Sequence, residues 1–186
     1  DHRYDVITVD STHPRAVDSW VLYTTQFYEL ASRRLDEDGI IVQWVPLHGM
    51  SEREFRILVG TFAGVFSHAQ LWANVGYDRI GFTGYALLVA RRSGPLFVHA
   101  DRLSKRMAVP SVGREMHRWG MEGPADLLDC FIAGPEALRR WTRQLPANTD
   151  DRPLTPFVTG WSQGPRMGPA SLSQITEPMG PLLVPP

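Results

Sequence analysis

Apolar residues recur with two different periods along the first part of the chain. Residues 4–9 and residues 40–45 are runs rich in apolar and β-branched residues, so each is predicted to be a buried strand. Between these runs, apolar residues follow the spacing of one helical face: Phe27, Leu30, Ala31 and Leu35. A helix is therefore predicted from about Thr24 or Thr25, and the polar residues 36–39 are expected to end it.

A second amphipathic helix is predicted after residue 50. Ser51 and Glu54 have the spacing of a capping box, in which the serine oxygen accepts the third helical amide and the glutamate reaches back. The apolar face of this helix consists of Phe55, Leu58, Val59, Phe62 and Phe66. Two more strands and two more helices are predicted at residues 69–73, 85–90, 124–133 and 135–145. The glycine-rich residues 76–84 separate the two strands.

The order of these elements predicts the fold class. Strands that are apolar on both faces and alternate with helices are typical of a mostly parallel sheet with helices on both faces. The predicted class is α/β, with residues 1–159 in one domain. Residues 160–186 are rich in proline and glycine, and they are predicted to form a flexible tail.

Composition and charge narrow the range of partners. The 186 residues are 43% hydrophobic and 21% charged, as in ordinary globular proteins. The net charge of −1 argues against extended electrostatic binding to nucleic acid or to an anionic membrane. The single cysteine, Cys130, cannot form an internal disulfide, and its apolar surroundings favour a packing role. The histidines lack close ligand spacing, so no metal site is predicted. No apolar run reaches the ~20 residues of a membrane helix, and the expected location is cytoplasmic.

Polar side chains follow the first predicted strand directly. Asp10 ends the strand, and Ser11, Thr12 and His13 come next, before Pro14. Ligands of an open α/β sheet bind outside the carboxyl ends of its strands, which gives Asp10 a functional interpretation. The alternative is a turn carboxylate that accepts hydrogen bonds from the amides that follow it.

The sequence resembles the spermidine and spermine synthases, the polyamine aminopropyltransferases. The resemblance rests on YDVITVDSTHP, on LYTTQFYELASRRLDEDGIIVQW, and later on LLDCFIAGPEALRRW and NTDDRPL, all in the family's order. The last two segments are similar to the bacterial spermidine-synthase-like branch, which is often fused behind a membrane-embedded domain. The resemblance implies the later part of a Rossmann-like, methyltransferase-type fold, without its N-terminal half. It also implies aminopropyl transfer from decarboxylated S-adenosylmethionine to an amine, with no prosthetic group.

The resemblance also implies roles for individual residues. Asp10 matches the family's proton acceptor, and Ser11 and Thr12 match residues that line the pocket of the aminopropyl donor. His13 stands where the family has a second acid that holds the amine substrate. An imidazole cannot replace the attraction of a carboxylate for a cation, although a loop histidine without a ligand role is an equal alternative.

Two later residues are weaker candidates for substrate binding. Gln43 is one position before the place of the family's strand-closing glutamine, and a one-residue offset turns a strand side chain to the other face. Tyr77, in the glycine-rich stretch, could correspond to an aromatic substrate contact. No chemical role is predicted for residues 148–153.

Two other functions remain open at this point. An S-adenosylmethionine-dependent methyltransferase shares the fold, and a non-catalytic α/β module is compatible with the absent half and with His13. The chain alone is expected to be inactive and to bind neither form of the donor. A homodimer and an upstream membrane domain, which would place the protein at the cytoplasmic face of a membrane, are further expectations.

Overall fold

The computed structural model describes residues 2–10, 13–78, 81–155 and 165–184. Its strands are β1 Tyr4–Val9, β2 Leu35–Pro46, β3 Gln70–Asp78, β4 Gly81–Arg91, β5 Val98–His99, β6 Phe131–Ala133 and β7 Leu183–Val184. Its α-helices are α1 Thr25–Arg34, α2 Glu52–Val65, α3 Ala100–Met107, α4 Pro110–Arg118, α5 Pro124–Leu128, α6 Pro135–Thr142 and α7 Pro169–Ser173. The predicted α/β class is confirmed.

The main sheet has five strands in the order β1-β2-β4-β3-β6. Strands β1 and β2 are parallel, and β4 is antiparallel to both of its neighbours, β2 and β3. Strand β3 therefore runs in the same direction as β1 and β2, although β4 separates it from them. Strand β6 closes the sheet antiparallel to β3.

The pairing of neighbouring strands corrects the predicted mostly parallel sheet. Of the pairs in this sheet, only β1 with β2 is parallel among the described residues. The physical reason is a long hairpin, because β3 and β4 pair continuously from Gln70 with Val89 to Asp78 with Gly81. The glycine-rich stretch that was predicted to separate two short strands instead extends both of them.

Helices α1, α2 and α6 cover one face of the sheet and enclose the core. Their buried residues pack against buried strand residues such as Ile41, Val45 and Leu88. The predicted capping box at the start of α2 is confirmed, with the Ser51 side chain and the Glu54 side chain each bonded to the other's main-chain amide. Helix α1 begins after Thr24, whose hydroxyl accepts the Phe27 amide.

The first helix ends earlier than its sequence pattern predicts. Helix α1 stops at Arg34, and β2 already begins at Leu35, so the strand includes the polar residues 36–39 that were predicted to end the helix. A side chain at Gly39 would place its Cβ 2.8 Å from the Tyr4 carbonyl oxygen. Glycine at this position therefore allows the start of β2 to lie directly against β1.

The C-terminal third contains two differences from the sequence prediction. The predicted helix at residues 124–133 is the short helix α5 followed by β6, which pairs with β3. Residues 165–184 pack onto the domain, in contrast to a flexible tail, because Met167, Leu172 and Ile175 belong to the hydrophobic core. The predicted boundary between residues 159 and 160 lies outside the described residues.

Candidate functional site

The loops that follow β1 and β2 meet at the carboxyl ends of these two parallel strands. Val9 pairs with Gln43 at the last position of the β1 register; β1 ends there, and β2 continues beside β4 to Pro46 before its loop begins. Asp10 is exposed at this strand end, and His13 is partly buried a few residues later. Ser11 and Thr12, the predicted contacts of the donor pocket, lie outside the described residues.

His13 is part of the loop after β1, and its side chain lies beside the loop after β2. Its Nδ1 accepts a hydrogen bond from the Arg15 main-chain amide at 3.2 Å, and its ring centroid is 6.1 Å from that of His48. Burial lowers the pKa of His13, and electrostatic interactions with Arg15 and with His48 lower it further. At neutral pH the imidazole is therefore uncharged.

Glu54 joins the start of α2 to the loop after β1. Its carboxylate accepts hydrogen bonds from the Ser51 amide at 2.8 Å and from the Ser51 hydroxyl at 2.7 Å. The Arg15 guanidinium donates to both carboxylate oxygens, at distances of 2.8 to 2.9 Å. Glu54 is 3% exposed, so its charge is enclosed by these partners. The capping box of Ser51 and Glu54 was predicted from the sequence, but the contact of Glu54 with Arg15 was not.

Gln43 lies at the last paired position of β1 and β2, but its side chain is inside the core. It is 0% exposed, and its side-chain oxygen accepts a hydrogen bond from the Tyr28 hydroxyl at 3.2 Å. Its side-chain nitrogen donates to the Trp44 carbonyl oxygen at 3.0 Å. Because Gln43 points to the helix-covered face, this structure gives it a packing role in place of the predicted substrate contact.

Tyr77 is described only through its backbone, which pairs with Phe82 in the β3–β4 hairpin. Its side chain lies outside the described part of the structure, so the predicted substrate contact stays a prediction. The backbone position belongs to the end of the hairpin that follows the core-forming residues Leu71 and Ala73.

Asn148 is a buried polar residue for which no role was predicted from the sequence. Its side-chain nitrogen donates to the Tyr23 carbonyl oxygen at 3.0 Å, and its side-chain oxygen accepts the Leu154 amide at 2.7 Å. Its main-chain amide donates to the Thr61 hydroxyl at 2.9 Å, and its carbonyl oxygen accepts the Thr25 amide at 2.9 Å. Asn148 therefore ties the chain after α6 to α1 and α2.

A cavity of about 230 Å³ lies away from the strand-end loops, against β3 and β4. Its lining is almost wholly apolar and includes Trp72, Leu87 and Cys130. Burial raises the pKa of the Cys130 thiol, and the nearby carboxylates of Asp129 and Asp126 raise it further. The thiol is thus protonated at neutral pH. The described lining of this cavity contains no carboxylate or imidazole, so the strand ends are the stronger candidate site.

The described residues can also be compared with the requirements for a metal site and for a membrane-spanning helix. No group of three or more histidine, cysteine, aspartate or glutamate side chains in the described ranges is arranged to hold a metal ion. Among the same residues, no helix has the length and apolar character needed to cross a bilayer. What the strand ends present is an exposed carboxylate at Asp10, a neutral imidazole at His13 and an arginine paired with Glu54.

The solved structures that are similar to this chain include the following three proteins. A probable spermidine synthase from Corynebacterium glutamicum has 18% identity and a TM-score of 0.49, with 78% of this chain and 47% of that chain covered. A spermidine synthase in complex with the transition state analogue AdoDATO has 16% identity, a TM-score of 0.34, and coverage of 81% and 38%. Spermidine synthase from Thermotoga maritima has 16% identity, a TM-score of 0.33, and coverage of 81% and 39%.

These structural scores, all below 0.5, carry no functional argument, and the chain spans less than half the length of each of the three proteins. No curated protein sequence matches the chain. Residues 1–70, which contain β1, α1, β2 and α2, match the profile of the spermine/spermidine synthase domain. Over residues 1–70 the chain is thus similar to the spermine/spermidine synthase domain, and the resemblance predicted from its sequence is confirmed there.

Proposed function

We propose that the complete protein transfers an aminopropyl group from decarboxylated S-adenosylmethionine to an amine. The observation that supports this proposal most directly is the position of Asp10. It is an exposed carboxylate at the end of a strand, and it lies within the residues that match the spermine/spermidine synthase domain. A carboxylate in this position can receive an amine substrate from solvent.

The reaction requires an amine that has lost a proton. An alkylammonium has a pKa of about 10, like that of lysine, so the nucleophilic form is scarce at neutral pH. The Asp10 carboxylate orients the ammonium and accepts its proton. The amine nitrogen then attacks the methylene carbon beside the sulfonium. The new C–N bond forms as the C–S bond breaks, and the electron pair of the C–S bond stays on sulfur, which becomes a neutral thioether.

The remaining predicted contacts belong to the same proposal. Ser11 and Thr12 would line the pocket of the aminopropyl donor, and Tyr77 would contact the amine. The homodimer, the upstream membrane domain and the location at the cytoplasmic face of a membrane rest on the family resemblance alone. Cell fractionation and sedimentation of the full-length protein would test these last three expectations.

The test is an assay of the full-length protein with both possible donors and a panel of amines. We expect product from decarboxylated S-adenosylmethionine, and a loss of about 10²- to 10⁴-fold in kcat for Asp10→Asn, because asparagine keeps the size of aspartate but cannot accept the proton. The matched control is Asp18→Asn, which changes an exposed carboxylate in the same loop. This control should keep wild-type turnover.

Other outcomes would favour the alternative functions. Methyl transfer from ordinary S-adenosylmethionine, without aminopropyl transfer, would replace the proposal with a methyltransferase. If Asp10→Asn turns over every active amine at the wild-type rate, Asp10 is not the proton acceptor, and its role is that of a carboxylate that stabilises the turn. A folded full-length protein without activity toward either donor would indicate a non-catalytic module.

A further inference from the structure

The imidazole of His13 lies in the loop after β1, beside the loop after β2. Nδ1 accepts the Arg15 amide hydrogen within the loop after β1. The ring packs near His48, in the loop after β2, with 6.1 Å between the two ring centroids. Since Nδ1 is the acceptor, the hydrogen of the neutral ring resides on Nε2, which lies 4.0 Å from the position of a Cβ at Gly49. The ring is thus used for contacts within the protein.

The neighbouring Arg15 makes a second connection between the same regions. Its guanidinium forms a bidentate ion pair with Glu54 at the start of α2, with a closest distance of 2.8 Å. The loop after β1 therefore packs at His13 beside the loop after β2 and is attached at Arg15 to the helix that follows. Only two residues separate His13 from Asp10, so this attachment restricts where the Asp10 carboxylate can lie.

We propose that His13 is a positioning residue: in its neutral form it orders the loop after β1 by accepting the Arg15 amide hydrogen and so holds Asp10 at the strand end, and its protonation releases that amide. The catalytic part of this inference rests on the function proposed for Asp10. The attachment of the loop does not, and it can be measured without any substrate.

The hydrogen-bond geometry makes the attachment dependent on protonation. A proton on Nδ1 would turn this acceptor into a donor that faces the Arg15 amide, which is also a donor. The charged and titratable groups that face the ring are Arg15 from its own loop, His48 from the loop after β2, and Glu54 from α2. Burial and the electrostatic interactions with Arg15 and His48 oppose protonation, whereas Glu54 favours it.

The direction of the pH dependence follows from the lowered pKa of His13. The unfolded chain binds a proton on this group at a higher pH than the folded protein does. The contribution of neutral His13 is therefore complete above its ordinary pKa of 6.5 and declines as the pH falls below that value. Release of the loop should appear as an acid limb of kcat, because the limb reports the position of Asp10 in the bound complex.

Two variants of the full-length protein separate positioning from simple packing. In His13→Asn the side-chain oxygen can occupy the place of Nδ1 and accept the Arg15 amide, but it cannot be protonated in this pH range. In His13→Leu the acceptor is absent at every pH. We expect His13→Leu to lose about 10-fold in kcat with little change in the KM of the aminopropyl donor. His13→Asn should recover most of that loss and lack the His13-dependent acid limb.

Hydrogen exchange of residues 13–19 supplies the readout that needs no activity. Loss of the hydrogen bond should speed exchange of the Arg15 amide by about 5- to 10-fold in His13→Leu, whereas His13→Asn should stay near wild type. In the wild type, protection should fall below pH 6.5, after correction for the intrinsic rate. Equal exchange in all three proteins would overturn the attachment. An unchanged acid limb in His13→Asn, with Asp10→Asn inactive, would overturn the positioning role.

Failure of the function proposed for Asp10 is distinguishable from failure of this inference. If Asp10→Asn retains full turnover, or if the full-length protein transfers no aminopropyl group, the exchange measurement alone decides whether His13 holds the loop. If Asp10→Asn is inactive while both His13 variants match the wild type in exchange and in pH profile, the proposed function stands and the inference about His13 is wrong.

Discussion

The end of β1 and the start of α2 each carry a carboxylate, but the two carboxylates have opposite environments. Asp10 at the end of β1 is exposed, whereas Glu54 in the first turn of α2 is 3% exposed. Glu54 is enclosed by the Ser51 amide and hydroxyl and by the Arg15 guanidinium. The sequence shows two acids near loops, and only the environment separates a residue suited to reaction from one suited to structure.

This difference has a physical basis. A carboxylate that accepts hydrogen bonds on both oxygens from an enclosed arginine and a helix cap cannot easily rearrange around a substrate. Its burial would also be costly if its partners were removed. An exposed carboxylate at a strand end is accessible to solvent, so an incoming ammonium can approach it. Substitutions at the two positions should therefore affect different properties of the protein.

The largest effect on stability is expected for Glu54→Ala. The substitution removes the carboxylate that pairs with Arg15 and half of the capping box, and it leaves the Ser51 amide without its side-chain partner. Breaking an enclosed ion pair costs about 3 kcal/mol in the free energy of unfolding. Denaturant titration followed by circular dichroism measures this loss.

Asp10→Asn provides the comparison for that measurement. It should change the free energy of unfolding by about 0.5 kcal/mol or less, as exposed substitutions usually do. A destabilisation of Asp10→Asn equal to that of Glu54→Ala would remove the distinction between the two carboxylates. A Glu54→Ala variant as stable as the wild type would show that the Arg15 contact contributes nothing to folding.

Asn148→Ala extends the comparison to an enclosed group without charge, and a smaller effect is expected. Asn148 is 0% exposed, and its side chain bonds to the Tyr23 carbonyl oxygen and the Leu154 amide. Alanine leaves both groups without this partner, at a cost of about 2 kcal/mol in the free energy of unfolding. The matched control is Asp150→Ala, because Asp150 is exposed in the same segment. Equal stability of the two variants would contradict the structural role of Asn148.

Local contacts of this site could be predicted from the sequence, and distant ones could not. The Ser51–Glu54 capping box spans three positions, so its spacing alone identified it. The Arg15–Glu54 pair spans 39 positions and forms only because parallel pairing of β1 and β2 brings their loops together. The Asn148 bond to Tyr23 spans 125 positions and depends in the same way on tertiary packing.

The fold shows the same division between local pattern and long-range pairing. The long apolar faces of α1 and α2 identified both helices, because a period of several turns is distinctive. The short run at β6 was assigned to a helix, since periodicity over a few residues cannot separate a helix from a buried strand. The position of β4 between β2 and β3 is a property of the sheet topology, and the pattern of apolar residues within a strand does not determine it.

Among the enclosed groups the smallest effect is expected for Tyr28→Phe, which tests the packing role of Gln43. The Tyr28 hydroxyl donates to the Gln43 side-chain oxygen at 3.2 Å, and burial raises the pKa of Tyr28 well above its usual value, so the hydroxyl stays protonated. Loss of this one hydrogen bond should lower the free energy of unfolding by about 1 kcal/mol. If Gln43 only packs in the core, the KM of the amine in the full-length protein should not change. A several-fold rise in that KM, with the KM of the aminopropyl donor unchanged, would instead indicate that Gln43 contacts the substrate. Glu29→Gln on the exposed side of the same helix is the matched control, and it should alter neither quantity.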